Sequence, residues 1–218
     1  MSLVQRKARP LIRDTESFRD DRLFIVACDD TYAPKQYFDF FRIARVQIHV
    51  VPTLDGTSVA EYVLQRLLNF FHEEDDELWM VLDTDHCTEG HHLKSFLEAI
   101  ARARKNGVNI ALSRPCFEFW LLLHHVGESV ASSLSNAADV EVALRTQLGQ
   151  YNKTKLKEED YPLNSVSEAC ERARRLDQTI EGTEIPNGST SRVYLLWEAI
   201  AAKALPSQLP DELRTLRR

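Results

Sequence analysis

What the chain lacks narrows the field first. No segment of its 218 residues approaches the roughly 18 consecutive apolar residues that a bilayer-spanning helix needs. The N-terminal stretch MSLVQRKARPLIRDTESFRDD is charged and has no apolar signal core, so a cytoplasmic location is expected. The four cysteines, Cys28, Cys87, Cys116 and Cys170, are scattered with no CxxC pair. That spacing argues against a zinc ribbon and against a disulfide framework. No Walker lysine motif, no GxSxG and no HExxH is present, which disfavours ATP hydrolysis by this chain, serine hydrolase chemistry and zincin chemistry. A surplus of positive charge is missing too: the net charge is −6, so the chain does not read as a protein that merely coats nucleic acid. Acidity of this kind still permits nucleic-acid chemistry, because a carboxylate site adds negative charge that bound cations neutralise.

What is present is an ordinary globular composition, 44% hydrophobic and 28% charged, at a length that supports a good-sized core. Residues 1–21 carry Arg6, Lys7, Arg9, Arg13 and Arg19 and form either a solvated arm or a basic arm that touches a polyanion or partner. Leu23–Cys28 is a continuous apolar run, as in a strand buried on both faces. A helix over Pro34–Ile43, a strand over Val46–Val51 and a helix over Val59–Phe71 follow. Leu78–Leu82 and Val108–Leu112 predict two more strands, separated by a helix with Leu93, Phe96, Leu97 and Ile100 on one face. A very apolar helix, Cys116–His124, comes next. Strands alternating with helices predict an α/β fold with a parallel four-stranded sheet flanked by helices, over residues 22–126. Beyond Val126 no further strand is expected. Residues 136–148, 165–180 and Ser189–Ala204 read as helices, so residues 127–218 predict a helical C-terminal extension on the core.

The chemistry gathers at strand ends. In a parallel sheet, ligands collect outside the carboxyl ends of the strands. Here those ends carry Asp29-Asp30, Asp83-Thr84-Asp85 and Ser113. Residues i and i+2 of an extended chain project to one side, so Asp83 and Asp85 can aim two carboxylates together. Oxygen donors of this type suit Mg²⁺ or Mn²⁺. The plainer alternative is that these aspartates only form turns. Glu118, inside the apolar run CFEFWLLLHH, either faces solvent or needs a partner. His86 adjoins the DxD pair and is either exposed or in reach of a substrate.

Taken together, the Leu23–Phe38 stretch, LWMVLDTDH, SRPCFEFWLLLHH, YNKTK and NGSTSRVYLLWEAI resemble, in order, the RloB-like (AbiLii-like) family of phage abortive-infection systems. The resemblance runs from about Arg22 to Ile200, and the run from Ser113 to His124 is its most specific element. It implies a Toprim-like core, Mg²⁺ (or Mn²⁺) as cofactor, and a partner protein with an AAA/ABC-type ATPase domain. Carried over by position, the metal ligands are Asp83 and Asp85 with Asp29 in place of the family's first-strand glutamate, and Asp30 stands where the family has glycine. Where the family carries Thr-Glu, this chain has Ala33-Pro34.

These readings converge on a metal-dependent Toprim-type nuclease, the effector of a defence pair. Asp29, Asp83, Asp85 and Glu118 are its expected catalytic set, and Ser113, Lys153, Lys155 and His86 are expected at the substrate, a DNA or an RNA. The competing expectation, favoured by the altered Asp29-Asp30 pair, is a catalytically silent binding or sensor subunit on the same ATPase. The exposed side of Ser189–Ala204 is the expected docking surface for that partner.

Overall fold

The computed structural model describes residues 21–51, 53, 58–85, 87, 92–179 and 184–217. The basic arm expected over residues 1–21 lies outside them except for Asp21, and so does His86.

The apolar runs become strands as the sequence leads one to expect. β1 (Arg22–Cys28), β2 (Val46–Val51), β3 (Glu77–Asp83) and β4 (Asn109–Arg114) pair in parallel, in the order β2-β1-β3-β4. Side chains alternate between the two faces. Phe24, Val26, Cys28, Trp79 and Val81 enter one buried cluster, while Ile25, Ala27, Met80 and Leu82 enter the other. Both faces are therefore covered, which is why these strands are apolar throughout rather than alternating with polar residues. Helices α2 (Ala60–Asn69) and α3 (His92–Lys105) close one face through Val63, Leu64, Leu67, Phe96 and Ile100.

The other face holds the larger cluster. It is covered by α1 (Ala33–Asp39), α4 (Phe117–Leu123), α6 (Ala137–Leu148), α7 (Leu163–Gln178) and α8 (Val193–Lys203), with the single-turn α5 (Glu128–Ala131) beside them. Its hub is Tyr37, fully buried, with the rings of Phe41, Phe117, Trp120, His124, Tyr161 and Trp197 around it, most of them edge-on. Its hydroxyl lies 3.1 Å from Nε2 of His124, whose Nδ1 lies 2.7 Å from Oγ of Ser165. Ser165 donates its own hydroxyl proton to the Pro162 carbonyl. The chain of bonds thus runs one way: Tyr37 donates to Nε2, and Nδ1–H donates to Ser165. Burial holds His124 well below the usual histidine pKa, in keeping with this neutral tautomer.

The sequence expectations are corrected at several points. The sheet has five strands, not four, and is mixed. β5 (Thr190–Ser191) runs antiparallel to β4, with Ser113 opposite Ser191 and Arg114 opposite Thr190. These residues were expected to begin the last helix, which starts instead at Val193. α1 is also shorter than expected, ending at Asp39. Arg45 at φ 58, in the left-handed region that β-carbons disfavour, lies in the tight reversal that feeds β2. α8 is an interior helix. Val193, Tyr194, Leu196, Trp197, Ile200 and Ala201 are buried, and only Ala202 and Lys203 of the helix are exposed. It offers little surface of the kind expected for docking. No helix among the described residues is long and apolar enough to cross a membrane.

Candidate functional site

The parallel order places the carboxyl ends of β1 and β3 side by side. The Asp83 backbone N–H donates to Oδ2 of Asp29 across 2.8 Å. The residue before Asp29 is fixed from behind, since the Cys28 carbonyl accepts from the Thr53 hydroxyl at 2.9 Å and from the Arg66 guanidinium at 3.3 Å. Asp30 turns the other way. Its Oδ1 accepts from the backbone N–H groups of Tyr32 and Ala33, shaping the turn into α1, and its Oδ2 lies 3.6 Å from Nζ of Lys153. The Asp83-Thr84-Asp85 turn hangs on the β4–α4 connection. Thr84 N donates to the Ser113 carbonyl, and Asp85 N donates to the Pro115 carbonyl at 3.1 Å. That connection leads at once into Glu118, in the first turn of α4, whose Oε1 accepts from the Tyr151 hydroxyl at 3.1 Å.

The product is an open cleft of about 750 Å³ whose lining includes Asp29, Asp30, Asp83, Asp85, Glu118 and Lys153. Burial raises the Asp29 pKa to about 7, helped by the charge of Asp30. The Asp83 carboxyl is also raised well above the usual range, by burial first and then by the charges of Asp29, Glu118 and Asp85. Oδ1 of Asp83 is buried and meets no hydrogen-bond donor among the described residues. For Lys153, burial works against the charged form, but Asp30 and Glu118 outweigh it and the pKa rises. Burial and the acidic neighbours push the nearby Cys87 thiol up to about 11 and Cys116 higher still, which disfavours their thiolate forms.

A site of this composition suits a hard divalent cation. Its donors are carboxylate oxygens, the buried Asp83 oxygen lacks a partner, and two raised pKa values mark charges that a cation would relieve. The described residues contain no group of three His, Cys, Asp or Glu side chains drawn together as a ready ligand cage. Mg²⁺ is commonly held by one or two carboxylates plus waters and substrate phosphates, a mode that needs no such cage.

The sequence model of the RloB-like protein family matches residues 24–200, from β1 into α8. This chain belongs to that family. No curated protein and no solved structure matches it. The family match takes in every cleft residue named above.

This RloB-like chain brings Asp29, Asp83, Asp85, Glu118 and Lys153 to one cleft. Ser113 lies elsewhere: it is fully buried, and its hydroxyl is 2.8 Å from that of Ser191, between β4 and β5. Lys155 lines a second, neighbouring cavity. Sequence reasoning missed Tyr151, which holds Glu118, and Gln36. The Gln36 amide donates to the Lys153 carbonyl at 2.9 Å while its oxygen accepts from Leu156 N at 3.0 Å. No local pattern marks either residue, and the family-like YNKTK string is the one signal that pointed toward this loop.

Proposed function

We propose that this chain is a Mg²⁺- or Mn²⁺-dependent nuclease, Toprim-like in its sheet and site, that works beside an AAA/ABC-type ATPase in the cytoplasm as the effector of a phage-defence pair. The observation that carries the reading is the hydrogen bond from Asp83 N–H to the Asp29 carboxylate, which joins the acidic ends of β1 and β3 beside Asp85 and Glu118. In this reading Asp29, Asp83 and Asp85 hold the divalent ion. When bound, the ion neutralises the carboxylates, polarises a phosphoryl oxygen and lowers the pKa of a water. Glu118, oriented by Tyr151, positions the nucleic-acid substrate and its attacking water. Lys153, kept charged by Asp30 and Glu118, faces the phosphate.

A second reading has its own support. Asp30 stands where the family has glycine, and its carboxylate already carries a turn and an ion pair with Lys153. A site altered in this way suits a silent binding or sensor subunit of the same ATPase complex.

A thermal-shift titration with Mn²⁺ on wild type, Asp83→Asn and Asp29→Glu, together with Mg²⁺-dependent nicking of DNA and RNA with and without the ATPase, separates the readings. The enzyme reading expects Mn²⁺ to raise the wild-type melting temperature, Asp83→Asn to abolish both the shift and the nicking, and Asp29→Glu to keep or strengthen the shift. Three identical titration curves would remove the metal site. A metal shift without nicking in any combination leaves the silent subunit.

A further inference from the structure

We propose that the cavity next to the acidic cleft is a nucleotide subsite. It would hold the phosphate and base of one residue of a single-stranded nucleic acid whose neighbouring phosphodiester lies over the carboxylates; the inference rests on the nuclease reading above.

The cavity, about 240 Å³, lies between the end of α6 and the start of the stretch that leads to α7. Tyr151 and Asn152 line both it and the acidic cleft, so the two spaces share a wall. Their electrostatics differ in sign. The cleft is carboxylate-rich, whereas the lining of the cavity includes two lysines, Lys155 and Lys157, against one acidic residue, Asp160. Neither lysine has an ion-pair partner among the described residues, so both charges remain open to a ligand anion.

The uncharged lining fits a base. Leu148, Leu156 and the ring of Tyr151 give apolar and aromatic surface. Asn152 adds directional donors. Its carboxamide oxygen is taken up by the backbone N–H and the hydroxyl of Thr154, both at 2.9 Å, which leaves the amide N–H groups for an acceptor. Tyr161, 1% exposed, carries a buried hydroxyl with no partner among the described residues. Cations, amide donors and an apolar wall beside an acidic cleft match the alternation of phosphate and base along a nucleic-acid strand. They match neither an acidic peptide nor an apolar ligand as well.

The test is fluorescence anisotropy of a short labelled single-stranded RNA, and of its DNA counterpart, on the full chain. It is run in EDTA and again with Ca²⁺, across a salt series. Lys155→Gln and Lys157→Gln are each expected to weaken binding and to flatten the slope of log K against log salt by about 0.7, the share of one phosphate contact on a single strand. Asn152→Asp keeps the oxygen that Thr154 needs but replaces the amide donors with a charge. It is expected to lose affinity without a change in melting temperature, which a purely turn-forming Asn152 would not do. No binding in either condition, or binding and slopes unmoved by all three substitutions, overturns the subsite. Nicking with unaltered KM in the doubly substituted lysine variant also overturns it and leaves the nuclease standing. Altered slopes without nicking by any protein would keep the subsite and remove the nuclease reading.

Discussion

Asp29 and Asp83 repel each other across a hydrogen bond that holds them together. The backbone of one donates to the carboxylate of the other, and the two side chains then share a partly desolvated space. The cost is visible in protons. Asp29 keeps its proton in the folded chain up to about pH 7, against 3.8 for an ordinary aspartate. Between those values the folded state binds more protons than the unfolded state. The contribution of this group is therefore fully present below pH 3.8 and is lost as pH rises through about 7. His124 acts in the opposite sense. Its pKa falls below the usual 6.5 in the folded chain, so its contribution is lost as pH drops below that value. Asp29→Asn retains an oxygen for the Asp83 N–H and removes the charge, while leaving His124 untouched. In urea denaturation without divalent ions, the variant is expected to exceed wild type near pH 8, by at most about 4 kcal/mol. The gap should close as pH falls through 3.8, below which Asp29 is protonated in both states. Parallel pH profiles for the two proteins would mean that no such charge is confined there.

At the scale of elements, what was legible depended on whether a segment carries its own pattern. β1 to β4 are apolar runs bounded by turn residues, and their ends announced the Asp29, Asp83 and Asp85 carboxylates. β5 could not be read that way. Its two residues, Thr190 and Ser191, are polar yet fully buried, and they adjoin a strong helical stripe. Their extended state is imposed by β4, far away in sequence, through Arg192 N–H donating to the Leu112 carbonyl and through the Ser113–Ser191 hydroxyl pair. That pair predicts a coupling. Ser113→Ala leaves the buried Ser191 hydroxyl with only the long bond it accepts from the Val193 N–H at 3.4 Å, and should cost about 1–2 kcal/mol. Ser191→Ala removes the partner of the Ser113 hydroxyl and should cost a similar amount. The double substitution removes both members and is expected to cost less than the sum of the singles in a urea-denaturation cycle. Strict additivity would show that the two hydroxyls are not each other's partner.

Across the whole molecule, the acidic cleft is half legible for the same reason. Its floor comes from strand ends, but one wall comes from the loop at 151–157, which returns from the C-terminal half of the chain to α1. Gln36 fastens that return at two points, donating to the Lys153 carbonyl and accepting from Leu156 N, and no period in either segment could foretell it. The loop carries Tyr151 to Glu118 and Lys153 to Asp30, so the latch also sets two of the cleft's polar contacts. Gln36→Ala should therefore release the loop before it releases the fold. Global stability is expected to fall by only about 1–2 kcal/mol, the scale of the hydrogen bonds removed. Hydrogen exchange at the Leu156 amide should rise well beyond that of amides within β1 and β3, because a local opening exposes the loop alone. Gln36→Glu sharpens the test. It keeps an acceptor for Leu156 N but loses the donor to Lys153 and sets a charge against that carbonyl. Leu156 should then stay protected while the Lys153–Asp30 pair loosens and the Lys153 pKa falls back toward its ordinary value. Unchanged exchange at Leu156 in Gln36→Ala would show that the loop is held by its other contacts, with Gln36 a bystander.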